Sequence, residues 1–198
     1  MIAAELAFAR AAQDKGQWRA FAVTAASDAV MFVPQMVLAQ AWLRGRANPA
    51  VAVKWQPHSV TSSCDGSLMV SQGAWHGPQR TGYFTTIWQR QKNGNYKWIV
   101  DSGDSLKDPL ATPEMIVARI ADCPPRGRRT PAPPARPGDA KRPLPFDAAR
   151  RIGQSDDGTL RWGVTVDPGG ARHLTVDWTK NGAETPLVDD EVAAPGGQ

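Results

Sequence analysis

The sequence predicts an α+β fold, a curved antiparallel sheet wrapped over N-terminal helices with a C-terminal β-hairpin extension. Three observations carry the prediction. Gly82–Arg90 and Tyr96–Asp101 alternate aromatic, β-branched and polar residues on either side of Lys92–Asn95, which is the pattern of strand, tight turn and strand. A third run of strand type, Leu68–Trp75, comes just before them. The N-terminal stretch from Ile2 to Gln13 instead places apolar residues three and four apart, the spacing of a helix face.

Taken in order, residues 2–14 read as a helix whose face carries Ile2, Leu6, Ala9 and Gln13, with Glu5 and Arg10 nearby and Leu6, Phe8 and Ala12 adding apolar area. Gly16 breaks it, and Gln17–Ala25 resumes a helical pattern through Trp18, Phe21 and Ala22, so the two segments form a bent arm. Asp28–Val33 is a short apolar strand stopped at Pro34. Val37–Leu43 reads as one or two helical turns carrying Trp42. A strand follows from Val51 to about Thr61, where Pro57 signals an edge or a bulge. Asp65 and Gly66 make the turn into the next strand.

Thr112 and Pro113 look like the cap and first position of a helix with Ile116, Val117 and Ile120 on its buried stripe, ending at Cys123. Beyond the proline-rich tract, Leu160–Val166 and Arg172–Trp178 form a second hairpin about Asp167–Gly170. Pro186–Val192 is a candidate third strand. An isolated ribbon with Leu160, Trp162, Val164, Leu174, Val176 and Trp178 on one face would not stand alone in water, so it is expected to dock on the main domain. The division that follows is a main domain over 1–122, a Pro/Arg-rich linker over 123–145 and an extension over 146–198.

Composition narrows the function. At 198 residues, 41% hydrophobic and 21% charged, the chain is of globular type. Its net charge of +4 is local. Arg126, Arg128, Arg129, Arg136, Lys141 and Arg142, against Asp139, lie in the proline tract, so the remainder is close to neutral. No aromatic residue in that tract could stack on a base, so no nucleic-acid partner is expected. No segment approaches the length of a membrane span, and no membrane partner is expected. The start of the chain lacks the pattern of a signal sequence, though a periplasmic protein with its leader trimmed would look the same. Cys64 and Cys123 read either as one disulfide or as two buried thiols. No phosphate loop, nucleophile elbow or metal-ligand spacing is present, and His58, His76 and His173 are far apart in sequence; no cofactor is implied.

The order of helical arm, short strand, small helix and long antiparallel strands resembles the nuclear transport factor 2-like superfamily, which includes ketosteroid isomerases and polyketide cyclases. The resemblance rests on Ala4–Phe8, Asp28–Phe32, Ser63–Gly66 before Gly73–Trp75, Gly82–Phe84 before Trp88–Arg90, and Gly94–Asp101, and spans residues 4 to about 103. It implies a cystatin-like cone with an apolar pocket at its open end, and a dimer formed through the sheet. It implies no single activity.

Two carboxylates are candidate proton-transfer groups. Asp101 follows an apolar strand and reads either as a base near the rim of the pocket or as a cap on the turn at Ser102 and Gly103; Asp28 precedes a strand in the same way. Trp55, Trp75, Tyr83 and Trp98 are candidates for an aromatic wall around a small apolar or aromatic molecule, with core packing as the alternative. Binding without turnover is the leading expectation; an isomerase, dehydratase or cyclase, and a structural protein with a filled cavity, are the others.

Overall fold

A computed structural model describes residues 2–124, 146–194 and 196. The tract expected to act as a linker lies, from residue 125 to 145, outside the described residues.

The helical arm forms as the periodicity requires, α1 over Ile2–Lys15 and α2 over Gln17–Thr24. They meet at Gly16, whose φ of 98° suits glycine, and a Cβ there would strike the Asn48 side chain at 2.3 Å. That close approach lets Asn48 Oδ1 accept from the Trp18 and Arg19 N–H groups (2.8 and 3.2 Å), capping α2 from a distant loop. The buried stripe of α1 is Glu5, Phe8 and Ala12, rotated from the expected one; Leu6 is exposed.

Strands β1 (Ala25–Phe32) and β2 (Met36–Leu38) precede the short helix α3 (Ala39–Leu43). β3 (Lys54–Ser62), β4 (Leu68–His76), β5 (Thr81–Arg90) and β6 (Tyr96–Leu106) then run as an antiparallel meander. Pro57 sits at a register shift in β3, and Gly66 makes the turn into β4 with a φ of 68°.

The expected helix over 112–123 is replaced by β7 (Val117–Ile120), parallel to β3. The open edge of β3 offers backbone hydrogen bonds, and Val117 and Ile120 remain exposed. Cys123 is joined to Cys64 by a disulfide with Cα atoms 5.1 Å apart, which anchors the segment beside β3 and β4.

The sheet has the order β2-β1-β6-β5-β4-β3-β7, is curved and does not close. The expected C-terminal hairpin is the centre of a second sheet, β8 (Arg150–Gln154), β9 (Leu160–Val166), β10 (Arg172–Lys180) and β11 (Ala183–Val192), in which β8 had no clear sequence signal.

Strand alternation assigns the faces of the large sheet. Register pairs Ser71 with Thr86 and Thr86 with Asp101, so these share the face carrying Trp55, Trp75, Phe84 and Trp88, toward the helices. The opposite face carries Val30, Leu68, Val70, Ile87 and Val100. These join one buried cluster with Leu160, Val164, Leu174 and Val176 of the second sheet. Polar contacts stitch the same junction: Cys64 N–H to Thr159 Oγ1 (2.9 Å), Asp65 N–H to Asp157 (2.8 Å) and Lys180 to Asp122 (2.7 Å). This face of the large sheet is thus covered by the chain's own second sheet.

Candidate functional site

Between the helical arm and the inner face of the sheet lies a cavity of about 280 Å³. Phe8, Trp18 and Phe21 of the arm line one side, and Trp55, Trp75 and Phe84 of the sheet the other. Phe8 meets Phe21 and Trp55 edge to face, each with centroids 4.8 Å apart. Trp75 can lie across β5 because Gly82 has no side chain; a Cβ there would stand 2.4 Å from the indole. The indole N–H groups are committed to fixed acceptors, Trp55 to Glu5 Oε1 (2.8 Å) and Trp75 to the Tyr83 carbonyl (3.0 Å). That holds the rings in place.

Glu5 is the least expected member of this region. It is wholly buried at the floor of the arm, and accepts from Trp55 Nε1, Trp88 Nε1 (3.0 Å) and Ser71 Oγ (2.5 Å). Burial pushes its carboxyl up, against the hydrogen bonds from Ser71, Trp55 and Trp88. In sequence it interrupts an apolar run. The spacing of Glu5, Phe8 and Ala12 was the available sign that it faces inward.

Asp101 stands in the cavity wall. β6 continues to Leu106, so Asp101 lies within a strand, paired with Thr86 and Met31, and does not cap a turn. Thr86 Oγ1 donates to Asp101 Oδ1 at 2.7 Å. Asp101 is partly exposed, yet enclosed enough that burial pushes its carboxyl up to about 7. The Thr86 hydrogen bond opposes that rise, the Glu5 charge adds to it and Arg172 opposes it. Near neutral pH such a group can take or give a proton.

The other sequence candidates are placed elsewhere. Asp28 is 68% exposed on its side chain and pairs with Arg151 at 3.5 Å, away from the cavity. β1 begins at Ala25, three residues before it, so Asp28 is a strand residue on an outer surface. Trp98 is completely buried, donates to Thr24 Oγ1 (3.0 Å) and packs on Phe21 (5.9 Å), so it is core and not cavity wall. Tyr83 is paired with Ala74, which puts it on the face opposite Trp75. It touches a smaller lobe of about 160 Å³ beside Asp101, while its hydroxyl donates to Asp190 of the second sheet. Burial and that carboxylate push the phenol's pKa up. Of the four expected rings, Trp55 and Trp75 line the main cavity. Among the described residues no His, Cys, Asp or Glu group has the clustering of a metal site.

No protein-family model and no curated protein matches the chain. A structural neighbour is a protein from Parabacteroides distasonis ATCC 8503, provisionally assigned as a ketosteroid isomerase. It is similar over 52% of this chain and 86% of that one, at 14% identity and a TM-score of 0.44. At this level the likeness concerns outline and carries nothing about chemistry.

Proposed function

We propose that the large sheet and the helical arm form a cone whose hollow binds a small, largely apolar molecule, and that Asp101 exchanges a proton with it. The observation that supports this reading is one carboxylate, hydrogen-bonded by Thr86, in the wall of a cavity lined mostly by aromatic and aliphatic side chains. In the chemistry that suits such a group, the carboxylate takes a proton from carbon next to a carbonyl. The C–H electron pair moves toward the oxygen, and the resulting acid returns the proton to another carbon. That is the reaction type of an isomerase, with dehydratases and cyclases as variants.

Binding without turnover is the second reading. It is favoured by the engagement of the Trp55 and Trp75 N–H groups and by the Tyr83 hydroxyl turning to Asp190. No phenol therefore stands ready beside Asp101 to stabilise an oxyanion.

The Cys64–Cys123 bridge supports a location in an oxidising compartment.

A panel of small cyclic ketones, screened by thermal shift and then by NMR for deuterium uptake next to the carbonyl, tests both readings. Protein-dependent exchange is expected to rise with pH through about 7 as Asp101 ionises, and to fall at least about a hundredfold in Asp101→Asn with binding retained. Binding with no exchange leaves the second reading. Exchange unaltered in the variant removes Asp101 from the mechanism, and a panel with no binder removes the pocket.

A further inference from the structure

We infer that the second sheet is a repeat of the β3–β6 meander, and that the aliphatic face of the large sheet is an interaction surface for a copy of that meander, filled by the chain itself about a local two-fold axis.

The repeat begins with residues. Ser63, Asp65, Gly66, Ser67 and Leu68, between β3 and β4, have counterparts in the same order and spacing in Ser155, Asp157, Gly158, Thr159 and Leu160, between β8 and β9. Lys92, Asn93 and Gly94 at the turn from β5 to β6 return as Lys180, Asn181 and Gly182 at the turn from β10 to β11, and Val100 and Asp101 return at the same distance further on as Val188 and Asp189.

The geometry repeats with them. In both turns the first serine N–H donates to the leucine carbonyl, at 3.0 and 2.8 Å. The aspartate Oδ1 accepts from that serine's hydroxyl at 2.7 and 2.6 Å, and from the N–H of Ser67 or Thr159 at 2.9 and 3.0 Å. Gly66 and Gly158 have φ of 68° and 71°. Both meanders are antiparallel throughout, and both carry a bulge at the same place. The register slips after Ile87 in β5 and after Val176 in β10, which leaves Ile99 and Leu187 without a cross-strand partner.

The two copies meet through the turn they share. Cys64 N–H donates to Thr159 Oγ1 at 2.9 Å, and the equivalent Asp156 N–H donates to Ser67 Oγ at 2.8 Å. Contacts that exchange partners in this way define an isologous interface, in which a surface fits a copy of itself. Leu68 and Leu160, at matching positions, lie together in the buried cluster. The Asp65 N–H bond to Asp157 has no counterpart among the described residues.

The copy has kept the packed face and not the hollow one. Thr175 pairs with Asp189 as Thr86 pairs with Asp101, yet among the described residues no helix follows β8 to cover that side. Asp189 is 74% exposed on its side chain and is held by His173. One cavity per chain is the consequence, with the second meander serving as a built-in partner for the first.

Urea unfolding of the full chain tests the equivalence of the two turns. Ser67→Ala and Thr159→Val each remove one of the reciprocal contacts, and each is expected to raise the unfolding constant about tenfold, the two agreeing within about fivefold. The exchange variant, Ser67→Thr together with Thr159→Ser, gives each turn the other's residue and should stay within about fivefold of the wild type. A larger difference in either comparison, or an exchange variant that does not fold, overturns the repeat as an interface. Light scattering of the wild type should give a monomer. A dimer that comes apart in Thr159→Val would mean that a second chain supplies the copy, and overturns its filling by the chain itself.

Discussion

On the side of the large sheet turned to the second sheet, Val30, Val70, Ile87 and Val100 meet Leu160, Val164, Leu174 and Val176, and none is more than 1% exposed. On the side turned to the helical arm, the rings of Trp55, Trp75 and Phe84 line a cavity, and a buried glutamate, Glu5, accepts from the Trp55 indole. The same strands build both. Aliphatic side chains from two sheets interdigitate at a spacing of about 10 Å and leave no gap. The Trp55 and Trp75 indoles are tied by their N–H groups to Glu5 and to the Tyr83 carbonyl, which fixes the rings around the cavity. One face is therefore held by packing and the other by a polar network, and a face of the second kind can afford a hollow.

That contrast is open to attack by substitution. The largest effect belongs to Glu5→Ala, which strands the Trp55, Trp88 and Ser71 donors together; a loss of about 4 kcal/mol is expected from urea unfolding, and Glu5→Gln should recover part of it. A loss below about 1 kcal/mol would show that the network does not hold the hollow face.

Next comes truncation on each side. Leu174→Ala, in the packed interface, is expected to cost about 3 kcal/mol, and Val53→Ala, which borders the cavity, under about 1 kcal/mol. Equal costs would erase the distinction between filled and hollow.

The smallest effect is also the sharpest, because it depends on pH. The Asp101 carboxyl is raised from its ordinary 3.8 to about 7 in the folded chain. Between those values the folded protein keeps a proton that the unfolded chain releases, so Asp101 lowers stability as pH rises across that window. Asp101→Asn should match the wild type near pH 4 and exceed it at pH 8 by on the order of 2 kcal/mol. A variant less stable at pH 8 would mean that the ionised carboxylate is held by contacts stronger than the Thr86 hydrogen bond.

Much of this was legible locally. The strands β3 to β6, the turns at Gly66 and Gly94, the break at Gly16 and the hairpin about Asp167–Gly170 follow from alternation and from glycine's freedom at positive φ, which act over a few residues. The helix expected over 112–123 failed because its cap signals were local, while the open edge of β3 that the segment joins is supplied by chain some 55 to 60 residues earlier. Trp98 and Tyr83 were placed with Trp55 and Trp75 on ring chemistry alone. The pairing of Tyr83 with Ala74 turns it to the other face, and Trp98, which the register shift brings beside Trp88, is fully buried against Phe21.

By itself, then, the order of residues determined the α+β class, the helical arm, the meander and the presence of Asp101 beside an aromatic strand, since each depends on periodicity within one segment. Only the tertiary structure decided that Glu5 meets Trp88, 83 positions away, that Asp101 sits in the cavity wall while Asp28 faces outward, and that the second sheet lies across the aliphatic face. Those outcomes depend on which strands pair and in what register. Both are set by the burial of side chains distant in sequence, which no local pattern encodes.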